Sequence, residues 1–134
     1  MMRAHLDAIK ALLAPTGMPV HVVRHSGTLS HPYVLVWAPP GRLVSDSLQT
    51  TNDLRDVVGV TTVAATPEAV YSKVDAVRAC LLDVAPTVAG WHCDELKLRD
   101  SQQVTEDRDV KLPNSNAFPC FAVDLYDLSS QRLI

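Results

Sequence analysis

The sequence lacks three features that would narrow its function directly. It has no excess of basic residues, since 12 Lys and Arg stand against 15 Asp and Glu for a net charge of −3, whereas a nucleic-acid-binding module normally shows a basic face. Its three cysteines are an odd number without CxxC spacing, which favours free thiols in a reducing cytosol over a disulfide scaffold. No apolar run approaches the roughly 20 residues of a membrane span. DNA-binding, disulfide-stabilised and membrane-spanning classes are therefore not expected.

The chain has the size and composition of one globular domain. Its 134 residues are 47% apolar and 20% charged, which is ordinary for a soluble protein with one core. Asp7 and Lys10 interrupt the apolar residues near the N-terminus, so no signal peptide is expected. We therefore predict a single domain over residues 1–134 with no membrane partner.

The hydrophobic pattern predicts two helices and five strands. Helices are expected at 3–14 and 67–82, and strands at 20–25, 33–37, 54–63, 91–98 and 118–128. Polar segments at about 39–52 and 100–117 are expected to be long loops, which in a small domain are commonly functional. The predicted class is α+β, with a mixed or antiparallel sheet of about five strands, two helices packed on it and the order α-β-β-β-α-β-β.

The strongest local signal is the join between the third strand and the second helix. A β-branched run ends at Ala64, and Thr66 then has the character of an N-cap, with Pro67 at the first helical position. Apolar residues follow at i, i+4, i+7 and i+11, forming one stripe of Val70, Val74, Val77 and Leu81. This pattern predicts an amphipathic helix that packs on the sheet.

The last predicted strand has period-two alternation. Two sets of residues alternate along it: Phe121, Val123 and Leu125, and Ala122, Asp124 and Tyr126. A sheet with one dry face requires such alternation.

Histidine and cysteine do not form a metal-ligand pattern. His21 and His25 are four residues apart on a predicted strand, too far for one ion. His92 and Cys93 would need Cys120 from a neighbouring strand, yet they are adjacent and should point to opposite faces. Zinc sites show spaced ligand pairs that are missing here. We expect no metal and no cofactor.

Catalytic signals are equally weak. Cys80 lies at the edge of the helical stripe and Cys120 within a strand, so both are expected to be small packing residues rather than nucleophiles. The acidic pairs Asp94-Glu95 and Glu106-Asp107 are sequence neighbours, which rarely form a general acid/base pair. No GxSxG, phosphate-loop or dinucleotide fingerprint is present. An enzyme is therefore the minor hypothesis, and no catalytic residue is assigned.

Surface residues remain the best candidates for function. Trp37 and the apolar residues of the 39–52 segment either fold back on the core or anchor another subunit, because aromatic residues are favoured in interface centres. The residues predicted to make contacts with another subunit or partner protein are Trp37, Arg42, Leu43, Leu48, Glu106, Asp107 and Arg108.

The order of elements resembles the tail terminator proteins of long-tailed phages, and is most similar to the small terminators of actinobacterial siphophages. The resemblance spans most of the chain in order and is carried by the segments 59–64, 68–82, 86–93 and 118–128. In that family a V-T-S/T-V strand, a helix ending in R-A-x-L-L/D, a P-x-V-x-G-W stretch and a late Y/F-A-V-D-x-Y are familiar. The insert at 107–119 departs from the pattern.

The resemblance implies a structural virion protein at the head-proximal end of the tail, assembled in the host cytoplasm. Such a protein forms a ring, usually a homohexamer, that caps the tail tube, stops its polymerisation and joins the tail to the head connector. Its partners would be further copies of itself, the major tail tube protein and the connector protein, while DNA passes the channel without specific binding. The alternatives are a head–tail connector or head completion protein and, less favoured, a small ligand-binding domain or enzyme.

Overall fold

A computed structural model describes residues 1–24, 31–44, 53–109 and 117–133 of the chain. Two α-helices, one 3₁₀ turn and eight strands lie in this part. In chain order they are α1 (Met2–Leu12), the 3₁₀ turn (Ala14–Thr16), β1 (Val20–Val22), β2 (Tyr33–Trp37), β3 (Arg42–Val44), β4 (Asp53–Ala64), α2 (Pro67–Leu81), β5 (Trp91–Cys93), β6 (Lys97–Ser101), β7 (Thr105–Glu106) and β8 (Cys120–Arg132). The predicted α+β class is confirmed.

The strands form one mixed sheet whose centre is the long antiparallel pair β4 and β8. On one side of β4, β3 pairs with its first residues and β2 with its last, and β1 joins β2 in parallel. On the far side of β8, β5, β6 and β7 follow one another along its length. The sheet is therefore about five strands wide, as predicted.

Both helices cover the same face of this sheet. Leu6, Ile9 and Leu13 pack with Val34 and Val36 of β2 in the main core, and Val77 and Leu81 of α2 join the same cluster. A second, smaller cluster lies under the start of α2, where Val70 and Val74 meet small residues of β4 and β8. Burial of these apolar side chains is the main stabilising contribution to the fold.

The second helix begins as its sequence predicts. The Thr66 hydroxyl accepts a hydrogen bond of 3.2 Å from the Ala69 backbone N–H, and Pro67 occupies the first turn. The residues of the predicted stripe are all buried, namely Val70, Val74, Val77 and Leu81. Local capping and tertiary packing therefore favour the same helix.

The dry face of β8 has an unexpected composition. The helices cover the residues with even numbers, from Cys120 through Asp124 and Tyr126 to Ser130. Phe121 and Leu125 lie on the opposite face and are half-buried. A carboxylate thus lies on the face that packs against α2, and it needs a partner there.

Several boundaries differ from the sequence prediction, since β1 ends at Val22 and β8 runs on to Arg132. The predicted strand from Trp91 to Leu98 is interrupted, because the backbone of Leu96 pairs with Asp83 and Val84 instead of with β8. The 39–52 segment contains β3, and the 100–117 segment contains the end of β6 and all of β7. Long partner strands supply hydrogen bonds to these segments, which local sequence does not indicate.

Candidate interaction surfaces

The predicted contact segments lie toward opposite ends of the sheet. We name these ends after the limits of β4. At the Asp53 end, β3 pairs with the start of β4, so Arg42 lies opposite Arg55 and Leu43 opposite Leu54. At the Ala64 end, β7 pairs with the start of β8, so Glu106 lies opposite Cys120. The twelve residues of β4 separate the two ends by about 35 Å. Leu48, which was also predicted to make a contact, lies outside the described residues.

Exposed apolar side chains lie at the Asp53 end. Leu43 is 47% exposed and Met1 is 45% exposed, and the Met2 side chain lies close to Gly41, just before β3. Leu133 is 60% exposed and follows the end of β8, where its N–H donates to the Gly90 carbonyl. Contiguous apolar patches mark interaction sites, whereas single exposed apolar residues are ordinary, so these residues are candidates only.

The Ala64 end carries acidic side chains. Glu106 pairs with Arg108 at 3.6 Å on the exposed surface, and the Asp107 N–H donates to the Pro119 carbonyl at 2.8 Å. Burial, and secondly the charge of Asp107, raise the pKa of Tyr33 on β2. Three of the predicted contact residues, Glu106, Asp107 and Arg108, are therefore neighbours on one surface.

Trp37 lies on the helix-free face, in the middle of the sheet. Its indole covers Gly59 so closely that a Cβ at that glycine would overlap the ring. The indole N–H donates to the Thr61 hydroxyl at 3.0 Å, and the side chain stays partly exposed. Trp37 thus packs on its own sheet, and its contact with another subunit stays a prediction.

A buried charged group with several hydrogen bonds is Asp124, which sequence reasoning did not single out. It is 3% exposed, and Arg78 of α2 donates to it from Nε at 2.8 Å and from Nη2 at 2.9 Å. The Ser101 hydroxyl donates a third bond of 2.7 Å. The hydrogen bonds to Asp124 raise the pKa of Arg78. The sequence did carry a signal for this pair. Asp124 alternates in phase with the buried residues of β8, and Arg78 lies near the end of an amphipathic helix.

A second buried polar group, His5, joins α1 to the end of β8. Its Nδ1 lies 2.7 Å from the Met1 carbonyl and its Nε2 lies 2.9 Å from the Ser130 hydroxyl. The Trp91 ring meets the imidazole edge-on at 5.0 Å. Burial lowers the pKa of His5. The hydrogen bond to the Met1 carbonyl raises it, and the charge of the terminal amine lowers it, but burial has the largest effect. Folding therefore favours the neutral form of the His5 imidazole.

The hypothetical metal ligands do not converge. Cys93 of β5 lies opposite Ser130 of β8, whereas Cys120 is the first residue of β8. The two cysteines are therefore ten residues apart along β8. His92 is exposed while Cys93 is buried, as expected for adjacent strand residues. His25 lies outside the described residues. Within the part of the chain that the structure describes, no group of three metal-ligating side chains is found.

Two adjoining cavities of about 410 and 480 Å³ lie between α2 and the β6–β7 edge. Both are lined by Tyr71, which is 63% exposed, and by Val104. Cys120 lines the larger one, but burial and the charges of Glu106 and Glu68 raise the pKa of its thiol. Because the thiolate is the nucleophilic form, this environment disfavours cysteine chemistry.

Comparisons with known proteins show the fold but no family. No protein-family profile matches the sequence, and no curated protein matches it. One solved structure with a similar fold is a chain of the virion of a native gene transfer agent (GTA) particle, with a TM-score of 0.63 and 14% identity over 93% of this chain and 90% of that chain. A second solved chain, whose name states no function, aligns with a TM-score of 0.50 and 15% identity over 91% of this chain and 94% of that one. No helix in the described ranges is long and apolar enough to cross a membrane.

Proposed function

We propose that this chain is a non-enzymatic structural protein of a phage-like virion, and specifically a ring-forming tail terminator. The observation that carries the proposal is the alignment of nearly the whole chain, at a TM-score of 0.63, with a chain of a gene transfer agent virion. The resemblance of the sequence to phage tail terminators supports the finer assignment. The subunit would act as one domain in a homohexamer at the head-proximal end of the tail.

The separation of the two candidate surfaces supports an adaptor role. A protein that ends one polymer and joins it to a different structure needs two distinct contact surfaces. Leu43 lies near the Asp53 end, with exposed apolar neighbours, whereas Glu106, Asp107 and Arg108 lie at the acidic Ala64 end. We propose that one end contacts the tail tube protein and the other the head connector. The central residue Trp37 would then serve contacts between subunits.

The charge of the chain suits a channel for DNA. With a net charge of −3, a ring of several copies would repel rather than bind phosphate groups, so DNA would cross without being retained. No cofactor or metal takes part in this function, and no membrane is involved.

The proposal is tested by assembly with tail tubes. Native mass spectrometry would be recorded for the protein alone and with tubes of the corresponding tail tube protein, and the mixture would be imaged by negative stain. Six-fold rings, free or on tube ends, together with arrest of tube elongation, are the expected result. A protein that binds isolated connectors and ignores tube ends would instead be a head–tail connector component. A protein that remains monomeric with both partners would contradict both assignments.

A further inference from the structure

The two outer edges of the sheet lie at the same level of the molecule. Register carries Val22 of β1 through Val36, Val60 and Asp124 to Ser101 of β6. The next row runs from Trp37 through Gly59 and Leu125 to Asp100, and the Val23 N–H bonds to the Val36 carbonyl beside it. Subunits related by a rotation axis can therefore bring one edge against the other without a shift along that axis.

Neither edge has a second strand partner in the described part of the chain. β1 pairs only with β2, and β6 pairs only with β8. Unpaired edges are templates for further strand pairing, and folded proteins control them with charges and bulges. β6 has both devices, since Lys97 and Arg99 are exposed on it and its register shifts between Leu98 and Asp100. These devices oppose nonspecific strand pairing at the β6 edge, so a partner there would have to be recognised through its side chains.

The charges left on the two edges are of opposite sign. On β6, Lys97 pairs with Asp83 and Glu95, and Arg99 pairs with Asp127. The exposed Asp100 carboxylate accepts only the Ser101 N–H in the described structure. On the β1 side, Arg24 is exposed two residues after the end of the strand. One edge therefore presents a cation and the other an anion.

The residue between β1 and Arg24 has an unusual backbone. Val23 has a φ of 69° and is 51% exposed. A β-branched residue rarely adopts this left-handed conformation, which costs energy and is found most often at functional segments. The conformation directs an apolar residue into solvent beside the exposed arginine, and contact with another subunit would bury it.

We propose that the β1 edge, with Val23 and Arg24, docks against the β6 edge of a second copy of this chain, and that Arg24 pairs with Asp100 across the contact. The inference rests on the proposed ring and identifies its subunit interface. Because the two patches differ, the contact is head-to-tail, and it closes into a ring when the rotation between neighbours allows.

Charge reversal tests this interface in the protein alone. Sedimentation velocity over a concentration series would compare the wild type with Arg24→Glu, Asp100→Arg and the double variant. Each single reversal places like charges together and is expected to weaken self-association about tenfold or more. The double variant restores opposite charges and should regain the ring. Lys10→Glu and Asp7→Arg, at exposed positions on α1, are the matched controls and should assemble as the wild type does.

Mixing the two single variants identifies the direction of the contact. In an alternating ring every contact between positions 24 and 100 joins opposite charges, so an equimolar mixture should form rings of even number. Assembly of the single variants at wild-type strength, or failure of the folded double variant to recover, would overturn the interface while leaving the tail function intact. Saturation at a dimer would overturn the head-to-tail geometry. If the wild type forms no oligomer, either alone or on tube ends, both the proposed interface and the proposed ring are contradicted.

Discussion

Arg78 holds the buried carboxylate of Asp124 through two parallel hydrogen bonds, of 2.8 and 2.9 Å. This bidentate pair connects α2 to the inner face of β8 at a position where the alternation of the strand would otherwise bury an unpaired charge. The directional hydrogen bonds of the pair fix the orientation of the helix on the sheet, in addition to the apolar contacts between the two. It is the main polar link in the described structure between the helical layer and the central strands.

Removal of Arg78 should destabilise the fold strongly. The Arg78→Ala variant leaves Asp124 buried with only hydroxyl donors, so we expect a loss of about 3 kcal/mol in the free energy of unfolding. Urea denaturation at neutral pH measures it. Arg99→Ala is the matched control, because it breaks an arginine–aspartate pair whose side chains are 59% and 54% exposed, and exposed pairs contribute at most about 1 kcal/mol. Equal losses in the two variants would contradict the structural role of Asp124.

Stability should fall on acidification through His5. Burial lowers its pKa in the folded state below the ordinary value of 6.5, so below about pH 6.5 the unfolded chain binds a proton that the folded chain excludes. The contribution of His5 is complete above that pH, and below it is lost by up to about 1.4 kcal/mol per pH unit. Urea midpoints at several pH values measure the slope.

The His5→Gln variant should show a shallower dependence of stability on pH below 6.5 than the wild type. His92→Gln makes the same substitution at an exposed position and is the control variant. If His5→Gln and the wild type lose stability in parallel, the acid sensitivity has another origin.

The contact of Trp37 with Gly59 should make that glycine intolerant of a side chain. Gly59→Ala places a Cβ within the indole, so the ring must leave its position, at a cost of about 1–3 kcal/mol. The near-ultraviolet circular dichroism and the unfolding midpoint report the change. In a Trp37→Ala background the same alanine should cost much less, because the obstructing ring is gone. Additive losses in the double variant would show that the two residues do not interact.

The acidic surface at the Ala64 end should be required for tail completion. Reversal of Glu106 and Asp107 to lysine should leave the fold intact, since both are on the surface, and should block the joining of tails. Virion yield by complementation is the measurement, with circular dichroism as the check of folding. The double variant Asp7→Lys with Asp75→Lys makes the same charge change at exposed positions on the two helices and should complete tails normally. Normal yield from the first variant would remove this surface from the proposed function.

The sequence correctly predicted the elements that are specified by residues close together in the chain. The strand Tyr33–Trp37 and the helix Pro67–Leu81 match their predictions to within one residue, since an apolar run and a capped amphipathic stripe are readable without long-range information. The short strands β3 and β7 were not predicted, because each exists only through pairing with a long neighbour. The break before β6 escaped prediction for a similar reason, as Leu96 pairs with Asp83 and Val84.

The sequence by itself determined the class of fold, the second helix and the alternation of β8, because capping and periodicity act between residues close in the chain. Only the tertiary structure decided which face of β8 is buried, where Asp124 finds Arg78, and how Val22 and Ser101 come to the same level on opposite edges. Those relationships join residues 46 or more positions apart. Strand register and buried polar pairing arise when the whole core packs at once, so no local pattern specifies them.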